Sequence, residues 1–222
     1  MNHALRRLAA LGLALILPVA LAGCGVNNIP TKEEKAKAAW ADVQSSYQRR
    51  ADLIPNLVAT VKGYATQERT VLTDVTKARA SATQVKVDAS TLTNPAAFQQ
   101  YAQAQDKLSG VLGRLMAITE NYPDLKSNTN FLALQSQLEG TENRINVARR
   151  DYNEAVRDYN TELRTFPGVF WAGTLYHNEK PMLPFSATAS AQSAPTVNFD
   201  QPAAPPSSAP PGSPPPEPAK QP

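Results

Sequence analysis

From Trp40 onward, apolar side chains recur in alternating steps of three and four, a period that suits helices packed along a shared seam. The first run reads Trp40, Val43, Tyr47, Arg50, Ile54, Leu57, Val61, Tyr64, Glu68, Val71, Val75 and Ala78, one long helix with two charged interruptions. Pro55 lies inside it. An interior proline removes a hydrogen bond and clashes with the preceding turn, so a kink or break is expected near Ala51. A second run opens at Asn94-Pro95, a capping residue followed by proline at the first helical position, and continues through Phe98, Tyr101, Gln105, Leu108, Leu112, Leu115 and Thr119 to Tyr122-Pro123. The third passes through Phe131, Leu134, Leu138, Thr141, Ile145, Ala148, Tyr152, Ala155, Tyr159, Leu163 and Phe166, and stops before Pro167-Gly168. At about 1.5 Å per residue such helices reach roughly 45 to 80 Å. Strand candidates occur only around Val169 to Tyr176. The fold class is therefore all-α: an elongated antiparallel bundle of three long helices, or four if the chain breaks at Pro55.

The two ends of the chain follow different rules. Arg6 and Arg7 precede an apolar run from Leu8 to Ala22, which ends in Leu21-Ala22-Gly23-Cys24. That run is shorter than the roughly 20 residues a spanning helix needs, and it has the layout of a secretory signal. Cys24 is the sole cysteine and stands where the lipobox of bacterial lipoproteins places its acylated thiol. The expectation is cleavage after residue 23, a lipidated tether over 24–30 carrying palmitate-type chains, a bundle over 31–185, and a tail over 186–222. An uncleaved anchor or a buried free cysteine is the alternative. Lipid on Cys24 would hold the chain at a cell membrane, facing the periplasm or the exterior. Gly25, in place of aspartate, resembles lipoproteins sorted to the outer membrane of diderm bacteria. The tail is dominated by Ala, Pro, Ser and Gln. It cannot bury a core and is expected to be disordered with polyproline II character.

Charge excludes one class of partner. Removing residues 1–23 takes away Arg6 and Arg7 and no acid, which leaves 20 basic against 19 acidic residues. The cations are interleaved with Asp and Glu along helices rather than gathered on one face, so no nucleic-acid partner is expected. Chemistry is equally sparse. Beyond the signal, His177 is the one remaining histidine, the glycines are scattered singly, and no His/Cys ligand cluster can form. Carboxylate pairs such as Glu139/Glu142 and Asp151/Glu154 have the spacing of ordinary exposed helical charges. The chain reads as non-enzymatic, with no cofactor, no metal and no catalytic residue.

Several short motifs recur in order along the helices. They include Arg49-Arg50-Ala51-Asp52-Leu53-Ile54-Pro55-Asn56-Leu57-Val58 with Val61-Lys62-Gly63-Tyr64, and Tyr122-Pro123-Asp124-Leu125-Lys126 with Asn130-Phe131. Further on stand Leu138-Glu139-Gly140-Thr141-Glu142-Asn143-Arg144-Ile145, then Ala148-Arg149, Tyr152-Asn153 and Tyr159-Asn160. Over about residues 35–170 this pattern resembles the LemA family of bacterial membrane-associated proteins. The resemblance implies a helical, membrane-tethered domain with no general catalytic reaction. The lipobox and the Pro/Ala tail depart from the family pattern, which often carries an N-terminal transmembrane helix.

Arg50 and Glu68 fall in the apolar seam, where a charge is costly unless paired. Two readings stay open. One is an interhelical network drawing on Glu139, Glu142, Arg144 and Arg149; the other is a ligand pocket lined by Arg49, Arg50, Asp52, Asn56, Glu142 and Arg149. Tyr152 and Tyr159, one heptad apart, form a stripe that packs in the core or stacks on a carbohydrate or partner. The aromatic segment from Phe166 through Phe170 and Trp171 either caps the bundle or offers an exposed apolar patch to a partner. The functional expectation is an envelope scaffold or protein-interaction module; the alternative is a binding module for a small anionic or carbohydrate ligand. Seam spacing leaves the oligomeric state open.

Overall fold

The computed structural model describes residues 25–85 and 88–186. The expected signal over 1–23, Cys24 and the expected tail beyond residue 186 lie outside the described residues. Among the described residues there are six α-helices, one 3₁₀ helix and no strand. The α-helices are α1 (Asn28–Tyr64), α2 (Arg69–Gln84), α3 (Pro95–Thr119), α4 (Pro123–Lys126), α5 (Thr129–Glu162) and α6 (Gly168–Thr174); a 3₁₀ helix, Ala89–Thr93, precedes α3. Helices α1, α2, α3 and α5 run antiparallel in succession, with α1 packed most intimately against α5 and α2 against α3.

The seam positions explain this architecture almost residue by residue. Trp40, Val43, Tyr47, Arg50, Ile54, Leu57 and Val61 are all buried on α1. Phe98, Tyr101, Gln105, Leu108, Leu112, Leu115 and Thr119 are buried on α3. Phe131, Thr141, Ile145, Ala148, Tyr152, Ala155 and Tyr159 are buried on α5. Local signals set the starts. The Asn94 side chain accepts from the Ala96 and Ala97 amides with Pro95 at the first helical position, and the Asn128 side chain accepts from the Phe131 amide at 3.0 Å.

The four-helix arrangement forms, but the break is not at Pro55. Helix α1 continues unbroken through Pro55 for 37 residues, about 55 Å. Pro55 faces solvent. The carbonyl that its missing N–H would have bonded belongs to Ala51, and that oxygen instead accepts from Arg79 Nε of α2 at 2.7 Å. A side chain from the neighbouring helix replaces the lost backbone donor.

The chain turns at residues 65–68 instead, so the run from Trp40 to Ala78 is two helices. Glu68 would have put a carboxylate in a dry seam. At the turn it is half-buried and accepts from Tyr122 Oη at 2.8 Å. The strand candidate around Val169–Tyr176 is also corrected, because Gly168–Thr174 is helical. Among the described residues no neighbouring strand exists to pair with it, and the Val169 amide closes a turn onto the Thr165 carbonyl at 2.8 Å. Gly168 permits the close approach. A Cβ there would stand 2.1 Å from the Glu162 carbonyl oxygen.

Two apolar clusters divide the interior. One is aromatic and gathers Trp40, Tyr47, Phe98, Tyr101, Tyr152, Tyr159 and Phe185. The other is aliphatic and gathers Ile54, Leu57, Val61, Leu72, Val75, Leu108, Leu115 and Leu125.

Candidate functional site

Where the two clusters meet, α1 brings Arg50 into the interior, only 2% exposed. Its length matters, because the guanidinium has to cross to α3. Nη1 donates to Ser109 Oγ at 2.6 Å and to Glu142 Oε2 at 3.0 Å. Nη2 donates to Gln105 Oε1 at 2.9 Å and to the Gln105 carbonyl at 3.2 Å. Gln105 Nε2 in turn donates to the Ala82 carbonyl on α2 at 3.3 Å. One buried cation thus ties α1 to α3 and α5 directly, and to α2 through Gln105. The Tyr47 ring lies 5.0 Å from the guanidinium carbon. Burial holds the Tyr47 and Tyr101 phenols above their ordinary range. The cavity beside this node, between Tyr47, Tyr101 and Gln105, is about 120 Å³. Small-molecule sites usually need about 300 to 1,000 Å³.

The other sequence candidates do not converge on Arg50 as a pocket would require. Arg49, Asp52 and Asn56 are exposed on α1, where Asp52 accepts from Gln48 Nε2 at 2.7 Å. Glu68 sits at the α1–α2 turn. Glu142 reaches Arg50 with its side chain 46% exposed. Arg149 is half-buried, 3.6 Å from Asp106 and 4.4 Å above the Phe185 ring. Of the aromatic segment, Trp171 packs against the aromatic cluster, while Phe166 and Phe170 remain exposed.

Sequence reasoning noted the Tyr-Asn repeat and missed what its asparagines do. Residues 181–186 run as an extended strap along α5. Asn160 accepts from the Met182 amide at 2.9 Å and donates to the Met182 carbonyl at 2.8 Å. Asn153 does the same to Phe185 at 2.8 and 2.9 Å. Tyr152 Oη donates to the Leu183 carbonyl at 2.9 Å, and the Leu183 amide donates to the Leu92 carbonyl at 2.8 Å. The pitch explains the match: a heptad on a helix rises about 10.5 Å, and three extended residues span about 10 Å. Heptad-spaced asparagines are the signal that points to a clamped backbone. The strap delivers Phe185 onto Trp40, Phe98 and Tyr152, with ring centroids 5.0 to 5.8 Å apart.

At the opposite end a groove stays open between α1 and α2. Val58 and Leu72 contribute apolar side chains to it; Lys62, Arg69 and Lys77 supply cations; Thr66, Thr73 and Thr76 supply hydroxyls; its volume is about 520 Å³. Among the described residues none of these three cations makes a salt bridge. No group of side chains among the described residues could hold a metal ion.

Four antiparallel helices cross-tied through one buried cation and belted by a clamped strap define a class, the all-α bundle whose interior is closed by its own side chains. The chain belongs to the LemA family, whose model matches residues 39–199. It is 23% identical over 140 residues to Protein LemA of Metamycoplasma hominis, an alignment covering 63% of this chain and 60% of that protein. It is 24% identical over 203 residues to Magnetosome proteins MamQ 2 and MamQ 1 of Paramagnetospirillum magneticum, covering 81% of this chain and 73% of each. No helix among the described residues is long and apolar enough to cross a membrane.

Proposed function

We propose that this LemA-family protein is a membrane-tethered, non-enzymatic lipoprotein that acts as an envelope scaffold. In this reading lipid on Cys24 holds one end of the bundle and the far end receives an acidic segment of another envelope protein. The observation that supports it most is the contrast in how charge is used. Arg50 spends both terminal nitrogens on Ser109, Gln105 and Glu142 inside the bundle, with Nε left unpaired among the described residues, whereas Lys62, Arg69 and Lys77 rim an open groove about 50 Å along α1 from its start. A cationic rim over an apolar floor selects an acidic, amphipathic partner by charge complementarity.

A photo-crosslinker at Thr66 in the native envelope tests this. A discrete adduct that disappears when Lys62, Arg69 and Lys77 are all changed to Glu, with the variant still folded, supports the scaffold. The absence of any adduct, or an adduct indifferent to the charge reversal, rejects the groove as its binding face. The same rim favours a second reading, a module for a small anionic or carbohydrate ligand. Saturable calorimetric binding of an acidic sugar, abolished by the same three changes, would favour that reading.

A further inference from the structure

Among the described residues, a group of large apolar side chains left in water lies beside the place where the chain enters the bundle. Phe166 is 86% exposed, Phe170 56% and Val169 47%. Val169 and Phe170 lie in the first turn of α6, and Phe166 stands two residues before its start. Exposed aromatics grouped this way mark a surface that meets something apolar.

The neighbouring chain indicates what that is. Gly25, the first residue described, has a φ of +112°, and a Cβ on it would lie 3.2 Å from Pro167 Cγ. The entry point is fixed in place. The Asn28 amide donates to the Gly25 carbonyl at 3.0 Å, and Asn28 Nδ2 donates to Glu162 Oε1 at 3.2 Å. Lys32 adds an ion pair to the same Glu162. Residue 24 is one Cα step of about 3.8 Å further on, and the apolar run Leu8–Ala22 precedes it. In the proposed function, acylated at Cys24 or held by an uncleaved anchor, the chain would leave the bilayer beside Gly25, which lies against Pro167. Arg164, exposed and in no ion pair among the described residues, suits an anionic lipid surface.

We infer that Phe166, Val169 and Phe170 form a membrane-contact surface that seats the α6 end of the bundle into the lipid interface beside the anchor. Aromatic side chains favour that interface, and a second apolar contact makes a single-point tether durable and oriented. The inference rests on the membrane tether of the proposed function, and the test separates the two.

Cys24 is the sole cysteine, so a thiol introduced by Phe166→Cys, Phe170→Cys or Gln67→Cys gives one labelling site in acylated full-length protein. Each variant carries an environment-sensitive fluorophore and is reconstituted into phosphatidylethanolamine/phosphatidylglycerol vesicles. The expected result is several-fold stronger quenching by nitroxide lipids at 166 and 170 than at 67, with aqueous iodide showing the reverse order. If the protein floats with the vesicles but 166 and 170 respond to iodide as strongly as 67 does, the contact surface is wrong while the tether stands. If the protein does not float, both fall. Phe166, almost wholly exposed, keeps the test valid should Phe170→Cys disturb α6.

Discussion

The aromatic and aliphatic halves of the bundle solve the same problem with different side chains. In the aliphatic half, Ile54, Leu57, Val61, Val75, Leu108 and Leu115 bury apolar area with no polar atom to place, and helix α2 folds back to cover them. In the aromatic half the rings of Trp40, Tyr101 and Tyr152 fill the interior, and the Tyr152 hydroxyl donates to the Leu183 carbonyl of the non-helical strap. A tyrosine carries both a large buried surface and a polar handle. That combination lets the aromatic half recruit an extended strap in place of a helix.

The comparison breaks most sharply at Trp40. Trp40→Ala removes the centre of four ring contacts and should cost about 3 to 5 kcal/mol. Leu57→Ala should cost about 2 to 5 kcal/mol by the same cavity mechanism. The two differ in consequence: limited proteolysis should cut near Phe185 in the Trp40 variant and leave the strap protected in the Leu57 variant. Equal cleavage would mean that the halves are one cooperative unit.

The clamps come next. Asn153→Ala or Asn160→Ala leaves an amide and a carbonyl of the strap unpaired, at about 1 to 3 kcal/mol each. Hydrogen exchange at Met182 and Phe185 reads it directly. Asp at either position keeps the acceptor but faces a carbonyl with an oxygen that cannot donate, so it should not restore protection.

A smaller effect belongs to the proline. Arg79→Ala should cost about 1 to 2 kcal/mol because it strips the Ala51 carbonyl of its donor. In a Pro55→Ala background residue 55 regains its N–H, and the cost of losing Arg79 should shrink. A double-mutant cycle measures that coupling.

The smallest effect near neutrality is the dependence on pH. Burial raises the folded-state pKa of Tyr47, Tyr101, Tyr152 and Tyr159 above the phenol's ordinary value of about 10. Below that value both folded and unfolded chains are protonated and nothing is lost. Above it the unfolded chain releases protons that the folded chain keeps, so stability falls as pH rises. Thermal melts from neutral to strongly alkaline pH should decline only past the ordinary phenol range, with near-ultraviolet signals from the aromatic half changing first.

Much of the fold was legible because a heptad seam is a one-dimensional statement about which face is dry. Trp40 to Val61 and Phe98 to Thr119 needed no tertiary knowledge. The turn at 65–68 was hidden because Tyr64, Glu68 and Val71 happen to keep the period across it. Survival of the helix at Pro55 was hidden because its rescue comes from Arg79, 24 positions away. The site was less legible. Arg50 announced itself as a charge in an apolar seam, but Gln105, its direct partner, read as one more seam position. The strap was missed because Met182 and Phe185 carry no periodic signal; their partners Asn153 and Asn160 did.

In the proposed function this bundle is held to a membrane through residue 24. Intact mass and membrane fractionation of the full-length protein beside Cys24→Ser, both expressed in a bacterial host, address it directly. A lipid tether at Cys24 requires a wild type that has lost residues 1–23, carries acyl chains and sediments with membranes, while the variant is unprocessed and unacylated. A wild type that keeps residues 1–23 without lipid would contradict it.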